Sequence, residues 1–126
     1  MKILLTEDDP IVAELYRVRL DREGHDVAVA VDGQTALEAV RRERPELILL
    51  DIRMPRLSGI AVLEQLRADA ELKELPVVML TNYSDPEQVQ RTRDLGIEGY
   101  LLKSRTTPRQ LAEWIAEWET KKAEGS

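Results

Sequence analysis

Four places in this chain set a chemically capable residue directly behind an apolar run. Glu7-Asp8 follow Ile3-Leu4-Leu5-Thr6, Asp51 follows Leu47 to Leu50, Thr81 closes the run from Val77, and Lys103 follows Tyr100-Leu101-Leu102. If the four meet, Glu7, Asp8 and Asp51 bring up to three negative charges within a few Å. At ~4 Å each pair repels by about 4 kcal/mol at an effective dielectric of 20, so something cationic must offset them. Oxygen ligands without His or Cys select a hard ion, and carboxylates with waters and a phosphate are how Mg²⁺ is usually held. Lys103 offers a compact positive charge for a phosphoryl oxygen, and the Thr81 hydroxyl can donate to another. A carboxylate nucleophile, a divalent ion, a lysine and a hydroxyl are the parts of a site that forms an aspartyl phosphate.

Those residues meet only if the runs before them are parallel strands. Residues 2–6 form the first. Asp9 then stands as an N-cap before Pro10, and Ile11, Leu15 and Val18 recur at helical spacing up to Gly24. Asp26 to Val31 is a second strand, rich in small residues. Asp32-Gly33 turns into a helix that carries Ala36, Leu37 and Val40 and ends before Pro45. The third strand is Glu46 to Asp51, and the third helix runs from about Ser58 to Asp69. The fourth strand is Val77 to Thr81. Ser84-Asp85-Pro86-Glu87 then starts a helix ending near Gly96, Glu98 to Leu102 is the fifth strand, and a last helix begins near Pro108. Strands and helices in strict alternation with short loops predict an α/β fold, a doubly wound parallel sheet covered on both faces. In such a sheet the C-terminal strand ends share one edge, where ligands bind.

Composition narrows the function. At 126 residues the chain makes one domain, expected over residues 1–120, with a disordered tail at 121–126. No cysteine is present and there is one histidine, which excludes a disulfide framework, Cys-ligated zinc, an iron–sulfur cluster and a thiol nucleophile, and disfavours a Ser-His-Asp triad. The longest aliphatic run, Leu47 to Leu50, is far short of a span, and the N-terminus begins as a strand rather than a signal peptide, so no membrane contact and a cytoplasmic location are expected. A net charge of -6 repels nucleic-acid phosphates, so no direct nucleic-acid binding is expected.

In this order and spacing these residues resemble the receiver domain of two-component response regulators. The resemblance runs from Ile3 to about Trp118. Its strongest element is Asp51-Ile52-Arg53-Met54-Pro55-Arg56-Leu57-Ser58-Gly59, similar to the family's D-x-x-M-P-x-x-x-G loop. The acidic pair Glu7-Asp8, Met79-Leu80-Thr81 and Gly99-Tyr100-Leu101-Leu102-Lys103 support it. It implies a flavodoxin-like five-stranded sheet in the order 2-1-3-4-5. It implies Asp51 as phosphoacceptor, Asp8 and Glu7 as Mg²⁺ ligands with Asp51 and the backbone carbonyl of Arg53, and Thr81 and Lys103 on the phosphoryl oxygens. Tyr100 matches the aromatic switch position, coupled to Thr81, that reshapes the surface of helix four, strand five and helix five for a downstream protein or a phosphorylation-dependent dimer. The implied donor is a sensor histidine kinase or phosphotransfer protein, and the implied role is a phosphoacceptor switch with self-catalysed phosphorylation and dephosphorylation rather than a turnover enzyme.

Plainer readings compete at single residues. Asp9 is accounted for as a helix cap, Glu7 and Asp8 could serve the helix dipole, and Lys103 could be only a counter-charge to Asp51. His25 beside Gly24 is expected to be solvated and Trp114 to be core. Asp51 resists such a reading, because an acid closing a buried aliphatic run is costly without a partner. Lys103 is followed by Ser104 where many receivers carry proline, and Thr81 by Asn82 where a smaller residue is common, which would crowd phosphate entry. Arg53 and Tyr83 stand two residues beyond Asp51 and Thr81 and should shield an aspartyl phosphate from water. Two other functions use similar parts: a small Mg²⁺-dependent phosphohydrolase of the haloacid-dehalogenase type, whose second Asp is Arg53 here, and a receiver-like module that binds partners without phosphorylation.

Overall fold

The computed structural model describes residues 1–125, in which five strands alternate with five α-helices: β1 Lys2–Thr6, α1 Pro10–Arg22, β2 Asp26–Ala30, α2 Gly33–Glu43, β3 Leu47–Leu50, α3 Gly59–Ala68, β4 Val77–Thr81, α4 Pro86–Asp94, β5 Gly99–Leu102 and α5 Pro108–Glu124. A short 3₁₀ turn, Lys103–Arg105, joins β5 to α5. Every neighbouring pair is parallel and the strand order is β2-β1-β3-β4-β5. All residues of β3 and β4 are buried, whereas β2, the strand of small residues, lies at an edge with two of its side chains exposed. Successive strand residues point to opposite faces, and the core divides accordingly. Leu4, Ile48, Leu50, Val77 and Met79 pack with α2 and α3, while Ile3, Leu5, Leu47, Leu49, Val78 and Leu80 pack with α1 and α5.

Helix starts follow from local chemistry. The Asp9 side chain accepts from the N–H groups of Ile11 and Val12 at 2.9 and 3.3 Å ahead of Pro10. Asp32 and Thr107 begin α2 and α5 as reciprocal capping boxes. α4 is the exception, since Asp85 stands at its N-cap without a side-chain hydrogen bond. Its other end is held from outside. Arg67, in the last turn of α3, donates to the carbonyls of Leu95 (2.9 Å) and Gly96 (2.8 Å), and also to those of Lys73 (3.1 Å) and Leu75 (3.0 Å) before β4.

Two sequence expectations change here. His25 is buried, at 8% exposure, instead of solvated: the terminal ammonium of Met1 lies 3.1 Å from its Nδ1 and Glu119 of α5 3.9 Å from its Nε2. Burial, aided by that ammonium, holds its pKa below the ordinary imidazole value. The last helix also passes residue 120. Lys121 pairs with Glu117 one turn back at 3.1 Å and Lys122 lies over the Trp118 ring, 4.9 Å from its centroid, so residues 121–124 of the expected tail form the end of α5, and Ser126 lies outside the described residues. Trp114 is half-buried and packs on β5 where Gly99 leaves room: a Cβ there would stand 2.5 Å from the indole.

Candidate functional site

The C-terminal ends of β1, β3, β4 and β5 share one edge, and the side chains just beyond them converge. The Lys103 ammonium sits between Glu7 Oε1 and Asp51 Oδ2, in close contact with both. Glu7 and Asp51 are 2% and 5% exposed, while Asp8 is open to solvent. One carboxylate oxygen from each of the three acids lies within 4.8 Å of the others. Glu7 Oε2 accepts from the N–H of Asp9 at 3.0 Å, and its buried Oε1 faces the ammonium. Asp51 Oδ1 accepts from the N–H of Arg53 at 3.3 Å.

Two residues outside the predicted ligand and phosphoryl-binding set, Thr6 and the Gly59 that ends the motif loop, fix the backbone of Asp51. The Thr6 hydroxyl accepts from the Asp51 N–H (3.1 Å) and donates to the Leu49 carbonyl (3.0 Å), which stitches the end of β1 to that of β3. Gly59, at the first position of α3, lies against the Asp51 carbonyl so closely that a Cβ would stand 1.9 Å from the oxygen. The final position of the D-x-x-M-P-x-x-x-G loop therefore has a steric cause.

Burial pushes the Glu7 carboxyl above its ordinary value, with Lys103 and the Asp9 N–H pulling the other way. Burial alone would lower Lys103, but hydrogen bonds and charge from Asp51 and Glu7 outweigh it, and the ammonium is held charged above its usual range. Three carboxylates against one ammonium leave an excess of two negative charges. Such an oxygen-only donor set fits a hard divalent cation.

Arg53, Thr81 and Tyr83 line, with Asp8, Asp51 and Lys103, a depression about 590 Å³ in volume, while Tyr100 stands behind it. A second depression of about 690 Å³ shares Asp8, Arg53 and Tyr83 with it. The wall between them is a cation–π stack, with the Arg53 guanidinium 4.8 Å from the Tyr83 ring centroid. Thr81, buried, accepts on its hydroxyl from the Tyr83 N–H at 3.2 Å. Tyr100, half-buried, donates its hydroxyl to the Tyr83 carbonyl. The Lys103–Ser104 peptide is trans, and Asn82, beside Thr81, accepts from the Ser104 N–H at 2.8 Å.

The sequence profile described as "Response regulator receiver domain" matches residues 3–116. This chain belongs to that family. Among curated relatives, this receiver is 43% identical over 102 residues to the DNA-binding response regulator MtrA of Mycolicibacterium smegmatis, an alignment that covers 81% of the chain and 43% of the relative, so the chain spans less than half the length of that protein. Among solved structures it superposes on a CheY-like receiver domain protein from Methanospirillum hungatei with a TM-score of 0.88 at 26% identity, over 99% of this chain and 98% of the other. It also superposes on the Mn²⁺-bound form of response regulator Rcp1 with a TM-score of 0.77 at 30% identity, over 86% and 85% of the two chains. Receivers bind Mg²⁺ at an acidic pocket and interact with histidine kinases, and this receiver has its acidic cluster at Glu7, Asp8 and Asp51. Among the described residues no helix is long and apolar enough to cross a membrane.

Proposed function

We propose that this receiver takes a phosphoryl group onto Asp51 from a phosphohistidine of a sensor kinase or phosphotransfer protein, and presents the change at α4, β5 and α5. The observation that carries the reading is the Lys103 ammonium lodged between the buried carboxylates of Asp51 and Glu7, with Asp8 beside them. An Asp51 carboxylate oxygen attacks phosphorus. The O–P bond forms as the P–N bond breaks, and the imidazole leaves with the bonding pair and takes a proton from solvent. Lys103 and the Thr81 hydroxyl receive the phosphoryl oxygens, and the dense negative charge of the acceptor is the barrier they lower. Glu7, Asp8, Asp51 and the Arg53 backbone carbonyl would hold Mg²⁺, which when bound offsets charge on the carboxylates and on the phosphoryl oxygens. That response regulator Rcp1 has a Mn²⁺-bound form supports a divalent-ion site in this receiver.

Two contacts support the switch. The Tyr83 peptide is gripped on both sides, its N–H by Thr81 and its carbonyl by Tyr100. A Thr81 hydroxyl recruited to a phosphoryl oxygen gives up part of that grip, and Tyr100 carries the change onto β5 and the α4–β5–α5 surface, where a downstream protein or a second copy binds.

The deciding measurement is the intact mass after incubation with acetyl phosphate and Mg²⁺. The wild-type chain is expected to gain one phosphoryl group and Asp51→Asn none, with chelation of the metal also preventing the gain. An Asp51→Asn chain that still gains phosphate refutes the reading, and repeated turnover of a phosphate ester would place the chain with the phosphohydrolases instead. The Arg53–Tyr83 stack gives a second expectation. It walls the approach of water to Asp51, so Arg53→Ala and Tyr83→Ala should each speed loss of the phosphate by roughly 3- to 10-fold, a barrier change of about 1 kcal/mol. Decay followed by mass tests this, and unchanged lifetimes in both variants would remove the shielding role.

A further inference from the structure

The two departures from the family pattern next to the site touch each other. Where many receivers carry proline after the lysine, this chain has Ser104, and so a backbone N–H. Where a smaller residue commonly follows the threonine, this chain has Asn82, whose Oδ1 accepts from that N–H at 2.8 Å. Asn82 lies in the turn after β4, directly behind Thr81, and Ser104 in the 3₁₀ turn that begins with Lys103. We infer that Asn82 is a positioning residue: its bond to Ser104 joins the turn that carries Thr81 to the turn that carries Lys103, so that the two groups assigned to the phosphoryl oxygens are set as one unit.

Neighbouring contacts leave this tie a definite task. The turn after β5 is pinned at its far side, where the buried Tyr16 of α1 donates its hydroxyl to the Thr106 carbonyl at 2.7 Å. On the near side the Lys103 side chain reaches Asp51 and Glu7, but it is long and flexible, and its ammonium follows the charges around it. When a phosphoryl group occupies Asp51 those charges change, and the backbone on which the lysine is mounted must hold its place. The backbone bond within this segment, Thr106 N–H to the Lys103 carbonyl at 3.3 Å, closes the turn without joining it to another element. The bond from Asn82 ties it to the end of β4. Mutual placement of reacting and stabilising groups is worth a large part of any such rate, and small displacements are felt.

The inference rests on phosphorylation at Asp51 and opposes the crowding expected from the size of Asn82. If Asn82 merely obstructs the site, Asn82→Ala should accept phosphate faster and Asn82→Leu, which keeps the bulk, should not. If it positions Lys103, both variants lack the acceptor and both should react more slowly than wild type, by roughly 3- to 10-fold, the loss of one modest hydrogen bond. The rates are read by intact mass with acetyl phosphate and Mg²⁺. In parallel, amide hydrogen exchange of Ser104 reports the bond without any phosphorylation: it should quicken in Asn82→Ala and Asn82→Leu and return toward the wild-type rate in Asn82→Asp, which keeps an acceptor oxygen. Unchanged Ser104 exchange in Asn82→Ala, a faster phosphorylation of that variant, or an unaltered rate despite lost protection would each overturn the inference while leaving Asp51 as acceptor. A wild-type chain that takes no phosphate brings down the proposed function itself, and this inference with it.

Discussion

Lys103→Met is expected to destabilise the fold by about 3–5 kcal/mol and to stop phosphate uptake. The ammonium is the only cation in contact with Glu7 and Asp51 among the ion pairs of the described residues, and both acids are nearly sealed from water. Removing one partner of a buried charge group leaves the others uncompensated, which costs far more than the net worth of the pair. The sign of the pH response is a second check. Because the folded protein holds Lys103 above its ordinary pKa, the stability from its pairing is complete below about pH 10.5 and is lost as pH rises through the folded value, and the variant should lack that alkaline loss. On the acid side, Glu7 is raised by burial with Lys103 as its main relief, so without the lysine the fold should regain stability as pH falls into the carboxylate range and Glu7 takes up a proton. Mg²⁺ should stabilise the variant more than the wild type, since it enters the same negative cluster without competition from the ammonium. Urea unfolding across a pH series, with and without Mg²⁺, measures all three, and a variant as stable as wild type at neutral pH would show that the buried acids are not left charged.

Gly59→Ala is expected to cost about 3 kcal/mol, at the upper end for overpacking, and to slow phosphorylation beyond what lost stability explains. The added methyl would stand 1.9 Å from the Asp51 carbonyl oxygen, 2.7 Å from its carbon and 2.9 Å from the Ile52 Cα. All three atoms are backbone, so no side chain can swing aside, and the Gly59 N–H is meanwhile bonded to the Ile52 carbonyl at 2.8 Å. Relief can come only from moving the start of α3 or the end of β3, and the latter carries the acceptor. Chemical denaturation together with the rate of mass gain separates the two effects. Wild-type stability in the variant would show that α3 moves freely away from β3.

The strand ends were legible because burial and polarity change sharply there: Leu47 to Leu50 is wholly buried, and an acid directly after it has to be compensated by something. Glu7, Asp8, Thr81 and Lys103 stood out by the same strand-end pattern, whereas the order of the strands and the separate role of each residue came from the family resemblance laid over it. What stayed hidden depends on contacts between residues far apart in sequence. Thr6 reads as one more strand residue, and its bonds to Leu49 and Asp51 span 43 and 45 positions. The pairing of Asn82 with Ser104 joins two residues that, taken singly, are only exceptions to a pattern. His25 is hidden from sequence reasoning because a glycine turn ordinarily exposes its neighbours, whereas here the length of α5 brings Glu119 to 3.9 Å from its Nε2 and the chain terminus to its Nδ1.

Two of the four carbonyls gripped by Arg67, those of Leu95 and Gly96, fix the end of α4, and the other two tie the same guanidinium to the segment before β4. One end of the rod is bolted to α3 through Leu95 and Gly96, and the other begins at a cap residue that contributes no side-chain bond. On the proposed switch, a displacement of Tyr83 would reach α4 first at its Pro86 end, since Arg67 holds the Gly96 end and the Arg91–Glu64 pair ties the later turns to α3 at 2.7 Å.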